Sequence, residues 1–181
     1  MANQQLLFER LYREYHLLVY NVALQYVQNI EDAEEITQDV FVKIYSSLEG
    51  FNQNSSYKTW IYRITINQSI DKIKQKKSQK RFFIFGKKSQ DEQEYLNTPT
   101  FEHPGILMEN KEEAALLFQV INTLTDKQKT AFLLSKVDGL SNSEIVEIMS
   151  LSISSVESLI FRAKADLQIK LAKKFANYRK K

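Results

Sequence analysis

Glycine and proline are scarce in this chain, and that scarcity constrains its fold more than any other feature. Only four glycines and two prolines occur among 181 residues. A β-rich fold needs such residues at its many tight turns, whereas long helices joined by short connections do not. Apolar residues also recur at three- and four-residue steps, the spacing of one helix face. We therefore expect an all-α protein, and the length suits two small helical domains joined by a linker.

Three helical segments follow one another in the N-terminal part. The first covers residues 4–27, the second 31–48 after a turn and cap at 29–32, and the third 59–75 after a polar break. Acidic residues in the first turn of the second segment suit the helix dipole. Together the three segments predict a first domain over residues 1–75. The residues expected on the buried faces are Leu6, Leu7, Leu11, Tyr15, Leu18, Val19, Val22, Tyr26, Ile36, Val40, Phe41, Ile44, Leu48, Trp60, Ile61, Ile64, Ile70 and Ile73.

Charge changes sign in the middle of the chain. Every charged residue from Lys72 to Lys88 is basic, whereas acidic residues dominate from Asp91 to Glu113. Both prolines lie in this region, which lacks a sustained apolar period, so residues 76–110 are interpreted as a linker. The basic run is consistent either with contacts along a DNA backbone or with a solvated linker. It consists of Lys72, Lys74, Lys76, Lys77, Lys80, Arg81, Lys87 and Lys88.

The C-terminal part, residues 111–181, predicts several short helices. A helix over 112–124 is followed by three S/T-x-x-E/Q patterns, the capping box that satisfies unpaired N–H groups at a helix start. The boxes pair Thr125 with Gln128, Ser141 with Glu144, and Ser154 with Glu157. Asp138-Gly139 and residues 150–152 provide the intervening turns.

The last two of these helices fit a helix-turn-helix, with a support helix at 142–149 and a recognition helix at 154–169. Periodicity alone favours an ordinary helical hairpin equally. The expected shared core is Ile145, Ile148, Val156, Ile160 and Ala163. The expected outward-facing residues are Ser155, Glu157, Ser158, Phe161, Arg162 and Lys164.

The chain lacks the residues that several functional classes require. With no cysteine and only two histidines, disulfide scaffolds, thiolate zinc sites and histidine-assisted nucleophiles are not expected. Phosphate-loop and HExxH patterns are missing too, so we expect no catalytic site, cofactor or metal. The start lacks a signal peptide and no apolar stretch approaches about 20 residues, which predicts a cytoplasmic protein without membrane insertion.

Two sets of residues resemble the extracytoplasmic-function (ECF) branch of the sigma-70 family, in the order in which that family has them. The resemblance implies a bacterial factor that binds core RNA polymerase, directs promoter-specific initiation and is controlled by an anti-sigma factor. The rival interpretation is a stand-alone helix-turn-helix regulator, which has no need of the first set. The sets are Asp32 to Phe41, Thr59 to Ile64, Asn67 and Asp71, and then Leu124, Leu134, Asp138 to Ser141, Glu144-Ile145, Val156 to Ser158 and Phe161 to Lys164.

The resemblance also implies where the polymerase binds. In the family, the helix that corresponds to residues 33–45 docks on a coiled coil of the largest polymerase subunit. Glu35, Gln38 and Asp39 would then contact the polymerase. For Glu35 an ordinary solvated helix face is an equally good interpretation.

A second implied role is capture of flipped bases of the minus-10 element on the non-template strand, by the loop 51–57 and one face of the third helix. Trp60 alone among isoleucines is more typical of a core residue than of a DNA contact. Arg63 and Lys58 would then bind phosphates, and Asn67, with both a donor and an acceptor, is the best base-reading candidate. The complete set is Asn54, Ser55, Tyr57, Lys58, Trp60, Arg63 and Asn67.

Finally, the resemblance implies that the recognition helix reads duplex DNA at the minus-35 element. This chain departs from the family at Glu157 and Leu159, where many members have basic residues, and Glu157 is interpreted here as a helix cap. A basic tail from Lys170 to Lys181 is consistent with either DNA contact or fraying in solvent. The implied duplex contacts are Lys136, Ser155, Ser158, Phe161, Arg162 and Lys164.

Overall fold

The computed structural model describes residues 2–52, 54–86 and 111–178, and all regular structure in these ranges is helical. The helices form two compact units, α1 to α3 and α4 to α7. The expected all-α fold with two helical domains is therefore confirmed. The helices are α1 Ala2–Val27, α2 Ile30–Ser47, α3 Tyr57–Gly86, α4 Lys111–Ile121, α5 Asp126–Lys136, α6 Asn142–Met149 and α7 Ile153–Tyr178.

In the first unit, α1, α2 and α3 pack on one another around a shared apolar core. The connection between α1 and α2 is tight because Gln28 adopts a left-handed conformation (φ 54°) and Asn29 caps the next helix. The Oδ1 atom of Asn29 accepts a hydrogen bond from the backbone N–H of Asp32 at 2.8 Å. The fully buried core side chains include Leu11, Val19, Leu24, Ile36, Val40, Ile44 and Ile61.

Leu6, which was expected on the buried face of α1, lies outside the core. Leu6 is 66% exposed, whereas Leu7 packs against the core. Neighbouring residues on a helix point about 100° apart, so the register that buries Leu7 and Leu11 turns Leu6 outward. The prediction that Leu6 lies on the buried face was wrong, whereas the same prediction for Leu7 and Leu11 is confirmed.

The third helix is longer than its apolar pattern indicates. It continues to Gly86, past residue 76 where the sequence predicts a linker. Residues 76–81 are lysine, serine, glutamine and arginine, none of which breaks a helix, so intrinsic propensity carries α3 beyond its apolar face. Residues 87–110, with Lys87, Lys88 and both prolines, lie outside the described residues, and the division at 1–75, 76–110 and 111–181 stays a prediction.

In the second unit, two of the expected capping boxes are present. Thr125 caps α5 and Ser141 caps α6, each with the reciprocal contact from Gln128 or Glu144. Gly139 has φ +68°, a conformation that glycine adopts at little cost, and it lies in the break between α5 and α6.

The third capping box does not form. Helix α7 begins at Ile153, and the backbone N–H of Ser155 donates to Ser152 Oγ at 3.3 Å. Ser154 therefore lies inside the first turn, and Glu157 lies beyond the reach of the cap. Ser150 ends α6 in a left-handed conformation (φ 52°). The turn between α6 and α7 therefore ends at Ser152, two residues before Ser154, where the sequence pattern places the cap.

Candidate polymerase and nucleic-acid interfaces

One face of α2 is open to solvent and carries the residues predicted to bind the polymerase. Gln38 and Asp39 are exposed, opposite the buried Ile36 and Val40. One turn later Val42 is 70% exposed. Sequence reasoning missed Val42, although three consecutive apolar residues at 40–42 cannot all face the core of one helix. The face thus combines an amide, a carboxylate and an apolar side chain.

Two ion pairs join α2 to α3. Lys72 Nζ pairs with Glu35 Oε1, and Lys76 Nζ pairs with Asp32 Oδ2. The carboxylate side chain of Asp32 is only 12% exposed, and the side chain of Lys72 only 16%. These two lysines of the basic run therefore hold α2 against α3. Glu35 has a contact within its own unit, which leaves Gln38 and Asp39 as the stronger polymerase candidates.

A groove opens where the end of α2, the following loop and the start of α3 meet. Aromatic rings form one of its walls: Phe51 stacks on Tyr57 with ring centroids 4.7 Å apart and contacts Trp60 at 4.8 Å. Trp60 is half-buried, because it packs against the core and also lines the groove. The two interpretations of this tryptophan are therefore compatible.

Polar side chains complete the same groove. Asn54, Ser55 and Arg63, all predicted to contact the minus-10 element, share it with Trp60. An unstacked base needs an aromatic surface, groups that read its edge and a cation for its phosphate, and the groove supplies all three. The lining residues are Ser46, Ser47, Gly50, Phe51, Asn52, Asn54, Ser55, Trp60 and Arg63.

Asn67 lies on the same side of α3 but beyond the groove lining. Thr65 and Ser69 are buried and donate their hydroxyls to the backbone oxygens of Ile61 and Thr65, each at 2.8 Å. Their inward position turns Asn67 to solvent. Because seven residues make nearly two helical turns, Asn67 stands above Trp60 about 10 Å along the helix.

Two other predicted residues are placed differently. Tyr57 stacks on Phe51 and packs against the core, so it supports Phe51 without lining the groove itself. Lys58 lies about 160° around α3 from Trp60. The structure therefore does not bring Lys58 to the groove.

The second unit contains the expected helix-turn-helix in α6 and α7. All five residues predicted for its shared core are buried. All of the residues predicted to face outward are exposed, and Phe161 reaches 74%. Lys136 is exposed in the last turn of α5. This arrangement favours a helix-turn-helix over an ordinary hairpin, because α7 presents a polar, partly basic face of the kind that enters a major groove.

Glu157 is the acidic exception on this face. It is exposed, and Asn142 Nδ2, in the first turn of α6, donates to its Oε1 at 3.4 Å. The proposed role in capping was wrong, since Ser152 caps α7.

Part of the basic tail is engaged within the second unit. Lys170 Nζ donates to Thr123 Oγ1 and Lys174 Nζ to Gln119 Oε1, each at 2.8 Å. These contacts hold α7 against α4 and the turn that follows it. Arg179, Lys180 and Lys181 lie outside the described residues.

Within the described ranges, no three histidine, aspartate or glutamate side chains group as metal ligands would. Of the helices in these ranges, none is both long and apolar enough to cross a membrane.

Family models match both units of the chain. Sigma-70 region 2 matches residues 11–79, and sigma-70 region 4 matches residues 114–167. Together the two models cover roughly two thirds of the chain, in the order found within one family.

Similar proteins cover nearly the whole length. The chain is 27% identical over 168 residues to the ECF RNA polymerase sigma factor SigW of Bacillus subtilis, covering 84% of this chain and 82% of SigW. It is 28% identical over 165 residues to the RNA polymerase sigma factor YlaC of the same organism, covering 91% and 92%. Among solved structures, the sigma factor RpoE of Bartonella quintana, crystallised with the anti-sigma factor NepR, has a similar fold. The TM-score is 0.67 at 19% identity, over 91% of this chain and 96% of RpoE.

Proposed function

The chain belongs to the ECF branch of the sigma-70 family, and from that premise we propose how its two units divide the work of a sigma factor. The first unit docks on core RNA polymerase and holds the melted non-template strand. The second unit holds duplex DNA upstream. Its relatives are named as RNA polymerase sigma factors; the chain is proposed to direct polymerase to promoters and to catalyse no reaction itself.

The groove beside Trp60 is the observation that carries the strand-holding role. Stacking on an aromatic ring is worth about 1–3 kcal/mol per base, and it requires a base already out of the duplex. The amide of Asn54, the hydroxyl of Ser55 and the guanidinium of Arg63 lie around the aromatic surface. Such a groove favours single-stranded over duplex DNA, which is what a promoter-opening factor needs.

The open face of α2 is proposed to bind the coiled coil of the largest polymerase subunit. Gln38 and Asp39 supply hydrogen-bonding groups, and the exposed Val42 supplies apolar area between them and the end of the helix. Interfaces combine a small apolar centre with a polar rim in this way.

An anti-sigma partner is proposed to mask these surfaces. The similar RpoE of Bartonella quintana was crystallised with such a factor. Covering the α2 face, the groove or the α7 face would block a contact that initiation requires. Because polymerase and chromosome share the cytoplasm, the protein is proposed to act there.

A regulator that binds duplex DNA without polymerase is the alternative. It would use α6 and α7 in the same manner but would have no use for the α2 face or for an aromatic groove. Both features are built into the first unit, so they favour the sigma factor.

The test is transcription reconstituted from purified parts. The full chain, added to core polymerase from the bacterium that encodes it, should start transcripts from discrete positions on genomic DNA, and sequencing the transcript ends should reveal a shared promoter. Initiation that stays as unspecific as with core polymerase alone, while the chain binds duplex DNA tightly by itself, would contradict the proposal in favour of the regulator.

A further inference from the structure

Glu157 is an exposed residue of α7 that contributes little to the stability of the fold. It does not cap α7, because Ser152 does so. Among the residues that the structure describes, its one polar contact is the 3.4 Å hydrogen bond from Asn142, and it forms no ion pair. An exposed carboxylate on a surface that must approach phosphates costs binding energy unless it meets a donor there.

Its position lies within reach of base edges. Glu157 is the fifth residue of α7, and the N-terminal part of a recognition helix is the part that enters the major groove. Exposed apolar side chains stand one turn to either side, Ile153 at 54% and Phe161 at 74% exposure. Inserted in a groove, these neighbours would exclude water from the carboxylate and strengthen any hydrogen bond that it accepts.

The chemistry of the groove then selects the base. A carboxylate only accepts hydrogen bonds, and it is repelled by the acceptors of guanine and by O4 of thymine. Adenine offers one donor but places its N7 acceptor beside it, whereas cytosine offers its N4 amino group. Asn142 Nδ2 donates to one carboxylate oxygen, Oε1, at 3.4 Å. Among the described residues the other oxygen, Oε2, has no protein donor, so it can accept from a base.

We propose that Glu157 reads a cytosine in the upstream duplex element, so that this chain prefers a C·G pair at one position of its minus-35 site. The inference rests on the proposed function, since it takes α7 to be the helix that reads duplex promoter DNA.

The test compares the full chain with Glu157→Gln on a promoter library whose upstream element is randomised. Holoenzyme transcribes the library, and the selected sequences are read from the transcripts. Glutamine pairs with adenine through one donor and one acceptor, so the variant should lose the cytosine preference at one position by about tenfold and gain adenine there. The matched control is Glu113→Gln, which removes the same charge from an exposed residue of α4 and should leave every position unchanged.

A second selection, by binding of the full chain alone to the same duplexes, keeps the inference separate from the proposed function. Selective binding without selective transcription would refute the sigma function and still decide the role of Glu157. Identical base profiles for wild type and Glu157→Gln, in whichever assay shows selection, would overturn the role of Glu157 alone. No selection in either assay would overturn both. Circular dichroism of each variant confirms that the helices are retained.

Discussion

Asn67 differs from its neighbours on α3 in presenting both a donor and an acceptor to solvent on the side that carries Trp60. Replacing it by alanine would remove the proposed base contact and leave the core untouched, because the side chain is exposed. We expect Asn67→Ala to slow promoter opening by roughly fivefold, the equivalent of one hydrogen bond of about 1 kcal/mol. Opening is measured by permanganate reactivity of unpaired thymines, and duplex binding by holoenzyme retention on the closed promoter.

The control for Asn67 is Asn21→Ala, which removes an exposed amide from α1. It should change neither opening nor binding. If Asn67→Ala weakened closed-promoter binding and opening equally, the residue would not be reading an unpaired base.

Arg162 belongs to the exposed side of α7 and should act on duplex DNA only. We expect Arg162→Ala to reduce dependence on the upstream element, with a loss of about 1–3 kcal/mol at promoters that carry it and almost none at promoters that lack it. Transcription from a promoter pair with intact and scrambled upstream elements measures the difference. Arg10→Ala, a charge removal on α1, is the control, and an unchanged ratio for Arg162→Ala would remove this residue from the reading face.

At the scale of single residues, the sequence predicted which side chains face solvent better than it predicted what they touch. Periodicity correctly predicted that Phe161 faces outward, because it records the register of one helix. The exposed positions of Gln38 and Asp39 agree with the family resemblance that singled them out. The pairs Glu35–Lys72 and Asp32–Lys76 join different helices. Their contacts depend on how α2 packs against α3, which no local pattern encodes. The contact between Asn142 and Glu157 escaped prediction for the same reason.

At the scale of elements, the start of α7 provides a direct test of which serine caps it. Ser152 Oγ accepts from the N–H of Ser155, whereas Ser154 lies within the helix. We expect Ser152→Ala to lower the free energy of unfolding by about 1 kcal/mol, the usual cost of losing an N-cap. Ser154→Ala should cost almost nothing, since alanine is favoured inside a helix. Chemical denaturation of the full chain, followed by circular dichroism, measures both.

The two serines control for one another, because each variant removes one exposed hydroxyl from the same turn. A larger loss of stability for Ser154→Ala than for Ser152→Ala would restore the capping box with Glu157 that the sequence pattern favours. It would also return Glu157 to a structural role.

Some helix boundaries were predicted correctly from the sequence and others were not. The starts of α5 and α6 were predicted correctly because a capping box is a local structure with its own hydrogen bonds. The end of α3 was not, because residues 76–81 form a helix by propensity without an apolar stripe that marks it. The groove beside Trp60 was predicted in part: the family resemblance indicated its polar residues, whereas the stacking of Phe51 on Tyr57 depends on the loop conformation.

At the scale of the whole molecule, the proposed function assigns three surfaces to one chain: a face that binds polymerase, a groove that holds a single strand and a helix that reads duplex DNA. The two DNA surfaces act at a promoter only when the first surface has bound polymerase. If docking depends on the open face of α2, its loss should abolish initiation although both DNA surfaces remain intact. We expect the double variant Gln38→Ala, Asp39→Ala to bind core polymerase about tenfold or more weakly, within the range of interface residues that contribute strongly.

Fluorescence anisotropy of the labelled chain, titrated with core polymerase, measures this affinity. The control is Gln5→Ala, Glu9→Ala, which removes an amide and a carboxylate from α1 that bond one another at 3.4 Å. Glu9 also pairs with Arg13 at 3.8 Å, and both side chains are exposed. Since surface contacts of this kind contribute little to stability, the control should fold and bind as the wild type does. Equal affinities for the two double variants would place the polymerase contact elsewhere on the first unit. Weaker binding by the α2 variant, with its transcription restored at high polymerase concentration, would show that this face supplies affinity and leaves promoter opening to α3.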